Sequence, residues 1–374
     1  MSFLPFTRPW IDEDTIAAVA EVLRSGWLTT GPRCRELEAA LSQRYGGRPV
    51  RLANSATAAL EFALRVAGVG PGDEVIVPSL TWVATANVVL AVGATPVFVD
   101  VEPAGRLIDL GLVERAITGR TRAVIPVDLA GLPVDRDRLY ALAARHRLRI
   151  IEDAAQSQGS RWHGREIGSF GDLVCFSFHP NKNMTTGEGG CLVMNSNAEA
   201  VLFEKLRLQG VTRRPDYTYD CDILGGKANL TDIAAAIGLG QLKQLDAFNA
   251  RRKVLARAYF ERLDANRIEL PLADFEHGNW HMFQVLLPET LAERRAELID
   301  RMKADDIGIG VHFPAIHLTT LYRQRGHAEK PLPHTESIAR RTMSLPLFAQ
   351  MEITDVDRVV QTLHRHLDQL QGTS

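Results

Sequence analysis

The chain has 374 residues, of which 45% are hydrophobic and 24% charged, and its formal net charge is −2. These values are ordinary for a soluble globular protein, and the near-neutral charge gives no attraction to nucleic acid or to an anionic membrane. No apolar run approaches the ~18 residues of a membrane span, and the N-terminus lacks a signal-peptide pattern. The four cysteines show no CxxC spacing, so we expect reduced thiols and a cytoplasmic protein.

Short apolar runs alternate with amphipathic segments over most of the chain. The pattern predicts helices at 12–25, 34–44, 58–66, 84–92, 111–117 and 135–146, and strands at 50–53, 74–77, 96–100, 123–127, 149–153, 173–178 and 191–194. This alternation is typical of βαβ units, that is, of an α/β fold with a mostly parallel mixed sheet and helices on both faces. Residues 229–263 predict a long helical stretch, and strands are expected at 280–287 and 309–313. We expect a large α/β domain over residues 1–250 and a small α+β domain over 251–374.

Polar side chains collect at the points where the predicted parallel strands end. These points are 54–57, 78–82, Asp128, 153–156 and 177–182. In open α/β sheets, ligands bind beyond the carboxyl ends of the strands. The sequence therefore predicts one ligand site at this edge of the sheet.

The segment 54–57 joins a short strand to an apolar helix. Free N–H groups at such a helix start form an anion site that suits a phosphate. An ordinary Ser or Thr N-cap explains the same residues, and both interpretations can hold together. The glycines of 68–73 do not make a dinucleotide fingerprint, because they follow a helix and lack the third glycine.

Lys182 lies in a polar turn between two strands that are expected to be buried. Most lysines in such turns are solvated, but burial would lower the pKa of this amine and make it a Schiff-base nucleophile. Asp153 ends the neighbouring strand, where a buried carboxylate needs a cationic partner, although a helix N-cap is the alternative. Trp82 is expected either to pack in the core or to offer a flat surface to a planar ring. A lysine, a phosphate site, an aromatic plate and a carboxylate together match the needs of pyridoxal 5'-phosphate.

Three motifs carry a resemblance to a known family: EDAAQ at 152–156, FSFHPNKN at 176–183 and GEGG at 187–190. They resemble the DegT/DnrJ/EryC1/StrS sugar aminotransferases, which are fold-type I pyridoxal-phosphate enzymes acting on nucleotide-linked keto sugars. Further similar stretches are SGWLTTGP at 25–32, NSATA at 54–58, GPGDEV at 70–75, NLTDI at 229–233 and WHMF at 280–283. The resemblance covers nearly the whole chain.

The resemblance implies a role for each cofactor residue. Lys182 would hold the cofactor covalently and carry the proton, and Asp153 would pair with the pyridine nitrogen. Gln156 would contact the phenolic oxygen or the side of the ring, and Trp82 would stack on the ring. The phosphate would be bound by Ala56, Thr57 and Ser177, and by Asn229 of the neighbouring subunit, which makes a homodimer the functional unit.

Six further residues are candidates for contact with the substrate: Trp27, Thr29, His179, Arg213, His312 and His317. Trp27 and Thr29 lie in the turn 26–31, which is either a lip of the active site or a plain surface turn. Arg213 lies in the long polar segment 206–226 and could bind a diphosphate, although a solvated charge is the simpler interpretation.

The three histidines fit the same region of the site. His179 precedes Lys182 by three residues and is expected to be a structural or orienting residue. His312 and His317 are expected to line the substrate mouth, and without a third ligand they predict no metal site. Residues 26–32, 311–317 and 344–348 look similar to the 4-amino-arabinose (lipid A modification) branch, which implies a UDP-linked 4-keto sugar. Gln156 departs from that branch, where histidine is common.

The sequence thus predicts a transaminase that moves an amino group, with glutamate as the expected donor, to a nucleotide-linked keto sugar for polysaccharide, lipopolysaccharide or related amino-sugar synthesis. Three alternatives stay open. Dehydratase relatives replace the lysine by histidine, which disfavours that class for a chain with Lys182. A non-catalytic protein on the same fold is disfavoured because each cofactor position is present. An aminotransferase for small amino acids would need an arginine for the α-carboxylate, and the sequence does not place one.

Overall fold

The computed structural model describes residues 2–372, and its elements follow the predicted alternation in chain order. The helices are α1 (Glu13–Ser25), α2 (Pro32–Arg44), α3 (Ala56–Val66), α4 (Ala84–Ala91), α5 (Leu110–Ala116), α6 (Arg136–His146), α7 (Asn197–Arg207), α8 (Asp232–Arg262), α9 (Arg295–Ala304), α10 (Thr320–Arg323), α11 (Pro333–Arg341) and α12 (Ile353–Gln371). The strands are β1 (Val50–Ala53), β2 (Glu74–Pro78), β3 (Thr95–Val99), β4 (Thr121–Val124), β5 (Arg149–Asp153), β6 (Arg161–Trp162), β7 (Arg165–Glu166), β8 (Leu173–Ser177), β9 (Gly190–Val193), β10 (Val211–Arg213), β11 (Tyr219–Cys221), β12 (Phe283–Leu286) and β13 (Thr342–Leu345).

A seven-stranded sheet forms the centre of the molecule, with the strand order β1-β9-β8-β5-β4-β2-β3. β9 pairs antiparallel with both β1 and β8, whereas the pairs β8–β5, β5–β4, β4–β2 and β2–β3 are parallel. Every residue of β2, β8 and β9 is buried. Such continuous apolar strands are expected where helices cover both faces of a sheet. The predicted α/β fold with a mostly parallel sheet is confirmed.

A buried ion cluster fixes one part of the sheet edge and explains one of the polar strand ends. The Arg136 guanidinium contacts Asp128 at 2.7 Å and Glu152 at 2.8 Å, and all three side chains are almost fully buried. The Tyr140 hydroxyl donates to Glu152 at 2.5 Å. Removing one member would leave a buried charge unpaired, which costs about 3–5 kcal/mol. Asp128 therefore holds the fold together rather than facing a ligand.

The C-terminal part packs around its own apolar core, which includes Leu4 from the N-terminal segment. Its sheet is the antiparallel pair β12–β13, and the sequence pattern did not reveal β13. The strand predicted at 309–313 is wrong, because this segment makes only a single bridge between Gly310 and Ser344. The domain boundary predicted at residue 250 falls inside the continuous helix α8.

Residues 2–372 contain neither a membrane-spanning helix nor a cluster of metal-binding side chains. None of its helices combines the length and the apolar character that a membrane span requires. No group of three or more His, Cys, Asp or Glu side chains in this region is arranged to hold a metal ion.

Candidate active site

A cavity of about 590 Å³ lies at the carboxyl edge of the sheet. Nine of the predicted site residues line it: Ala56, Thr57, Trp82, Asp153, Gln156, Ser177, His179, Lys182 and His312. They come from the segments that follow β1, β2, β5 and β8, and from the loop after residue 310. β1 and β8 each pair antiparallel with β9 and therefore run in the same direction. Their carboxyl ends meet at one edge of the sheet, which brings residues 126 positions apart in the sequence, Ala56 and Lys182, into one site, as the strand-end pattern predicted.

Lys182 lies in the turn after β8, where its backbone N–H donates to the carbonyl of His179 at 2.9 Å. Its ammonium group makes no hydrogen bond or ion pair with any residue between 2 and 372. Burial lowers the pKa of Lys182 to about 8, and the charge of Asp153 opposes this shift. About a tenth of the amine is therefore neutral at pH 7, and the fraction rises with pH. This amine is suited to nucleophilic attack on a carbonyl.

Asp153 ends β5 and is buried at the bottom of the cavity. Its Oδ2 accepts a hydrogen bond from the Thr85 hydroxyl at 2.7 Å, and its Oδ1 accepts one from the Ala155 N–H at 3.3 Å. Burial nevertheless raises the pKa of this carboxyl, and the two hydrogen bonds and the charge of Lys182 only partly oppose the rise. A cationic ring nitrogen placed beside Asp153 would supply the missing counter-charge.

The start of α3 combines a helix cap with free backbone donors. The Ser55 hydroxyl accepts from the Ala58 N–H at 3.1 Å, so the N-cap interpretation is correct. The N–H groups of Ala56 and Thr57 have no acceptor among residues 2–372, and both residues line the cavity. Gly190 packs so close that a Cβ there would lie 2.5 Å from the Ala56 nitrogen. These donors and the nearby Ser177 hydroxyl fit a phosphate group.

Trp82 and Gln156 form parts of the cavity wall. Trp82 is 61% exposed, which excludes core packing, and its ring lies 6.2 Å from that of Phe313 between centroids. The Gln156 Oε1 accepts from the Ala130 N–H at 2.7 Å. The amide oxygen is therefore occupied, and the side-chain NH₂ group is the part of Gln156 that remains to donate to a ligand.

His179 and His312 flank the cavity near Lys182. The Nδ1 of His179 lies 2.9 Å from the Asn181 Oδ1, and that of His312 lies 2.8 Å from the Ser344 Oγ. Burial, together with the charge of Lys182, lowers the pKa of His312 to about 4. His312 is therefore neutral at physiological pH and can exchange hydrogen bonds with a sugar hydroxyl.

The interpretation of His317 as a residue of the substrate mouth is wrong. Its side chain is fully buried and does not line the cavity. The Nδ1 lies 2.7 Å from the Ser79 Oγ, and the Nε2 lies 3.2 Å from the Glu336 Oε1. These contacts tie the segment 311–317 to the end of β2, so His317 supports the wall that carries His312.

Four other predicted residues lie outside the cavity of this chain. Trp27 and Thr29 are exposed in the turn after α1, and the Trp27 Nε1 donates to the Thr30 carbonyl at 3.2 Å. Arg213 is exposed at the end of β10. The Asn229 Nδ2 donates to the Thr30 Oγ1 at 2.7 Å. Their roles toward a ligand remain predictions.

The sequence analysis missed several residues that shape the site. Thr85 orients Asp153, Phe313 supports Trp82, and Ala130 holds Gln156 through its backbone. A signal existed only for Thr85, which is a polar residue in the first turn of an apolar helix and lies four positions after Thr81. The contacts of Phe313 with Trp82 and of Ala130 with Gln156 join segments far apart in the chain, so no local sequence pattern predicts them.

The fold and the cavity together define a pyridoxal-phosphate-dependent enzyme of the aminotransferase class. A nucleophilic lysine, a buried carboxylate and a phosphate-sized group of backbone donors face one another across a single cavity, as this cofactor requires.

Comparison with known proteins gives the same class and names the family. The DegT/DnrJ/EryC1/StrS aminotransferase family matches residues 9–364, and the chain belongs to this family. The expected enzyme class and the expected cofactor are confirmed at this level.

Three solved structures illustrate the similarity. Spr1654 from Streptococcus pneumoniae, a candidate sugar aminotransferase in its PMP form, is 34% identical with a TM-score of 0.94 over 99% of each chain. DesV from S. venezuelae, in complex with a ketimine intermediate, is 37% identical with a TM-score of 0.90, covering 98% of this chain and 99% of DesV. PseC from Helicobacter pylori, an aminotransferase of pseudoaminic acid biosynthesis, is 27% identical with a TM-score of 0.93, covering 98% of this chain and 100% of PseC. These varied relatives do not support the 4-amino-arabinose branch in particular.

Proposed function

We propose that this chain transfers an amino group from an amino acid, with L-glutamate as the first donor to test, to a nucleotide-linked keto sugar. The observation that carries the proposal is the pair formed by Lys182, an unpartnered amine of lowered pKa, and Asp153, a buried carboxylate, in one cavity. A UDP-linked 4-keto sugar is the first acceptor to test, because the resemblance of the loops at 26–32 and 311–317 suggests it.

Each cavity residue has a defined task in this proposal. Pyridoxal phosphate, when bound, supplies the electron sink for the carbon that loses a proton. Lys182 would hold the cofactor covalently, and as a free amine it would move that proton from the α-carbon of the donor to the cofactor carbon on the other side of the exchanged nitrogen. Asp153 keeps the pyridine nitrogen protonated. The N–H groups of Ala56 and Thr57 bind the phosphate.

Other residues hold and shield the ring. The Gln156 NH₂ group donates to the phenolic oxygen, since its Oε1 is already occupied by Ala130. Trp82 stacks on one face of the cofactor ring, and its indole is exposed and therefore free to do so. His312, neutral and next to Lys182, contacts the sugar.

Two rival functions are weaker. A dehydratase is disfavoured because Lys182 stands where those relatives carry histidine. An aminotransferase for small amino acids would need an arginine for the α-carboxylate, and no arginine among residues 2–372 lines the cavity of one chain.

An absorbance spectrum of the purified protein with pyridoxal phosphate tests the proposal. We expect a band near the visible edge that moves to shorter wavelength on addition of glutamate and returns on addition of a UDP-linked 4-keto sugar. A band that ignores glutamate but responds to another amino acid corrects the donor. A protein that forms no band with added cofactor would contradict the central role of Lys182.

We also propose that the active unit is a homodimer in which Asn229 reaches the phosphate of the partner's site. Asn229 lies outside the cavity of its own chain, which is compatible with a role across an interface. Asn229→Asp would place a carboxylate against that phosphate, and such like-charge contacts cost several kcal/mol.

Mixed dimers give the measurement for this shared site. We expect Asn229→Asp and Lys182→Ala to be nearly inactive alone. Unfolded and refolded together, they should recover roughly a quarter of the wild-type activity, because half of the random dimers are mixed and each then holds one intact site of two. If mixing restores nothing while the refolded wild type is active, Asn229 does not act across the interface.

A further inference from the structure

A buried polar network lies beside the active-site cavity, and the proposed mechanism does not use it. Its members are Asn183, Asn249, Asn279 and His281, which are between 1% and 6% exposed. None of them lines the active-site cavity. Asn183 directly follows Lys182, and His281 belongs to the motif WHMF at 280–283. Buried polar groups of this kind need full hydrogen bonding, so the direction of each bond can be worked out.

The direction is fixed by a backbone carbonyl, which can only accept. The Asn249 Nδ2 donates to the carbonyl of Gln158 at 3.1 Å, so its Oδ1 faces the Asn183 Nδ2 at 2.7 Å. Asn183 must therefore present its Oδ1 to the His281 Nδ1, which lies 3.0 Å away. Since an amide oxygen only accepts, the His281 Nδ1 carries the proton and donates it to Asn183.

Asn279 connects the same network to the loop that carries Gln156. The Asn279 Nδ2 donates to the carbonyls of Gln156 and Gln158, each at 2.9 Å, and the Asn279 Oδ1 accepts from the His281 N–H at 2.9 Å. His281 thus contacts the residue after Lys182 through its ring, and the support of the Gln156 loop through its backbone.

The surroundings of His281 keep its ring neutral. Burial lowers the pKa of His281 well below its usual value, and the positive charges of Lys182 and Arg252 lower it further. A neutral ring has one N–H, and the network assigns it to Nδ1. The donor that faces Asn183 is therefore permanent over the physiological pH range.

We propose that His281 is a positioning residue for Lys182, because its Nδ1–H fixes the Asn183 amide and thereby the turn in which the lysine stands. This inference rests on the role proposed above for Lys182. His281 acts only through Asn183 and does not touch the reacting atoms. The turn is otherwise held at this point by the backbone bond from Lys182 to His179 and by the link from Asn183 to Asn249.

Two substitutions of His281 distinguish the effect of its hydrogen-bond donor from the effect of its size. In His281→Asn the amide nitrogen is bonded to Cγ, as Nδ1 is in histidine, so a donor toward Asn183 is retained. In His281→Gln the amide lies one bond further out and the donor at the Nδ1 position is lost, although size and polarity are kept. His366→Gln is the matched control, because His366 is also buried and hydrogen-bonded, to Asp305 at 2.6 Å, but lies in α12.

The measurement is the rate at which cofactor-free protein captures pyridoxal phosphate on Lys182, trapped with borohydride and quantified on the Lys182 peptide across pH 6–10. We expect wild type, His281→Asn and His366→Gln to agree within about threefold, with rates rising through pH of about 8 as the lysine loses its proton. His281→Gln should be slower by about tenfold or more, because small displacements of a reacting group are costly. In the transaminase assay its kcat should fall by a similar factor, with the KM for the donor nearly unchanged.

The outcomes distinguish this inference from the proposed function. If wild type captures no cofactor, the proposed function fails. If wild type captures normally and His281→Gln equals it, only the role of His281 is refuted. A folded His281→Asn that is as slow as the glutamine variant also refutes it. Should His281→Gln not fold, Asn183→Ser removes the acceptor instead, and capture at the wild-type rate by that variant would overturn the proposal.

Discussion

Replacing Lys182 by alanine is expected to lower transaminase activity by at least about 10³-fold, because one residue is asked to hold the cofactor and to carry the proton. The donors of Ala56 and Thr57 remain, so the variant should still bind pyridoxal phosphate without a covalent bond. Borohydride should then fix cofactor on the wild-type chain and leave the variant unlabelled at this position. Initial rates and the mass of the Lys182-containing peptide give the two readouts.

Lys253→Ala is the matched control for this variant. Lys253 is also partly buried, and burial also lowers the pKa of its amine, but it donates to the Phe275 carbonyl and does not line the cavity. Its removal should leave the rate unchanged within about twofold, as is usual for substitutions away from a site. Turnover by Lys182→Ala close to the wild-type rate would refute the mechanism.

Asp153→Asn is expected to have the second largest effect, with kcat/KM lower by about 10²–10³-fold. The substitution keeps the size of the side chain and removes the charge that would hold a proton on the pyridine nitrogen. Breaking a buried charge pair by removing one partner costs about 3–5 kcal/mol, and the lower part of that range, about 3–4 kcal/mol, corresponds to a factor of about 10²–10³ in rate. Affinity for the cofactor should fall as well, measured by titration of the cofactor-free protein.

The stability of the cofactor-free protein should respond in the opposite direction. Burial raises the pKa of Asp153 above the value of an unfolded chain. At any pH above the unfolded pKa, the ionised carboxylate therefore lowers the stability of the cofactor-free protein. The neutral amide of Asp153→Asn should therefore melt at the same temperature as wild type or higher at pH 8. For kcat/KM, Glu166→Gln serves as the control variant. It also neutralises a buried carboxylate, but Glu166 lies outside the cavity and is paired with Arg44. Unchanged kcat/KM in Asp153→Asn would show that the pyridine nitrogen needs no counter-ion here.

Local patterns in the sequence sufficed to predict the alternation of strands and helices between residues 50 and 194. The strand predicted at 50–53 has the bounds that the structure shows, and the helix predicted at 34–44 begins two residues earlier, at Pro32. The C-terminal part was harder to predict. Residues 309–313 have the composition of a strand but make only one bridge, because their backbone follows the cavity wall that His317 anchors to Ser79. The local pattern of side chains does not predict a contact between residues as far apart as His317 and Ser79.

The sequence by itself determined the α/β alternation and the edge of the sheet at which Lys182 and Asp153 line one cavity. Strands that run in the same direction place their carboxyl ends together, and Asp153 ends one such strand while Lys182 lies in the turn after another. Only the tertiary structure decided which histidine faces the cavity. His312 and His317 are five residues apart, yet one lines the site and the other is fully buried against Ser79 and Glu336. Only the tertiary structure likewise decided the hydrogen bond from Thr85 to Asp153 and the contact of His281 with Asn183, the residue after Lys182. These contacts join segments 68 and 98 residues apart, where burial and hydrogen bonding depend on the packing of the whole chain.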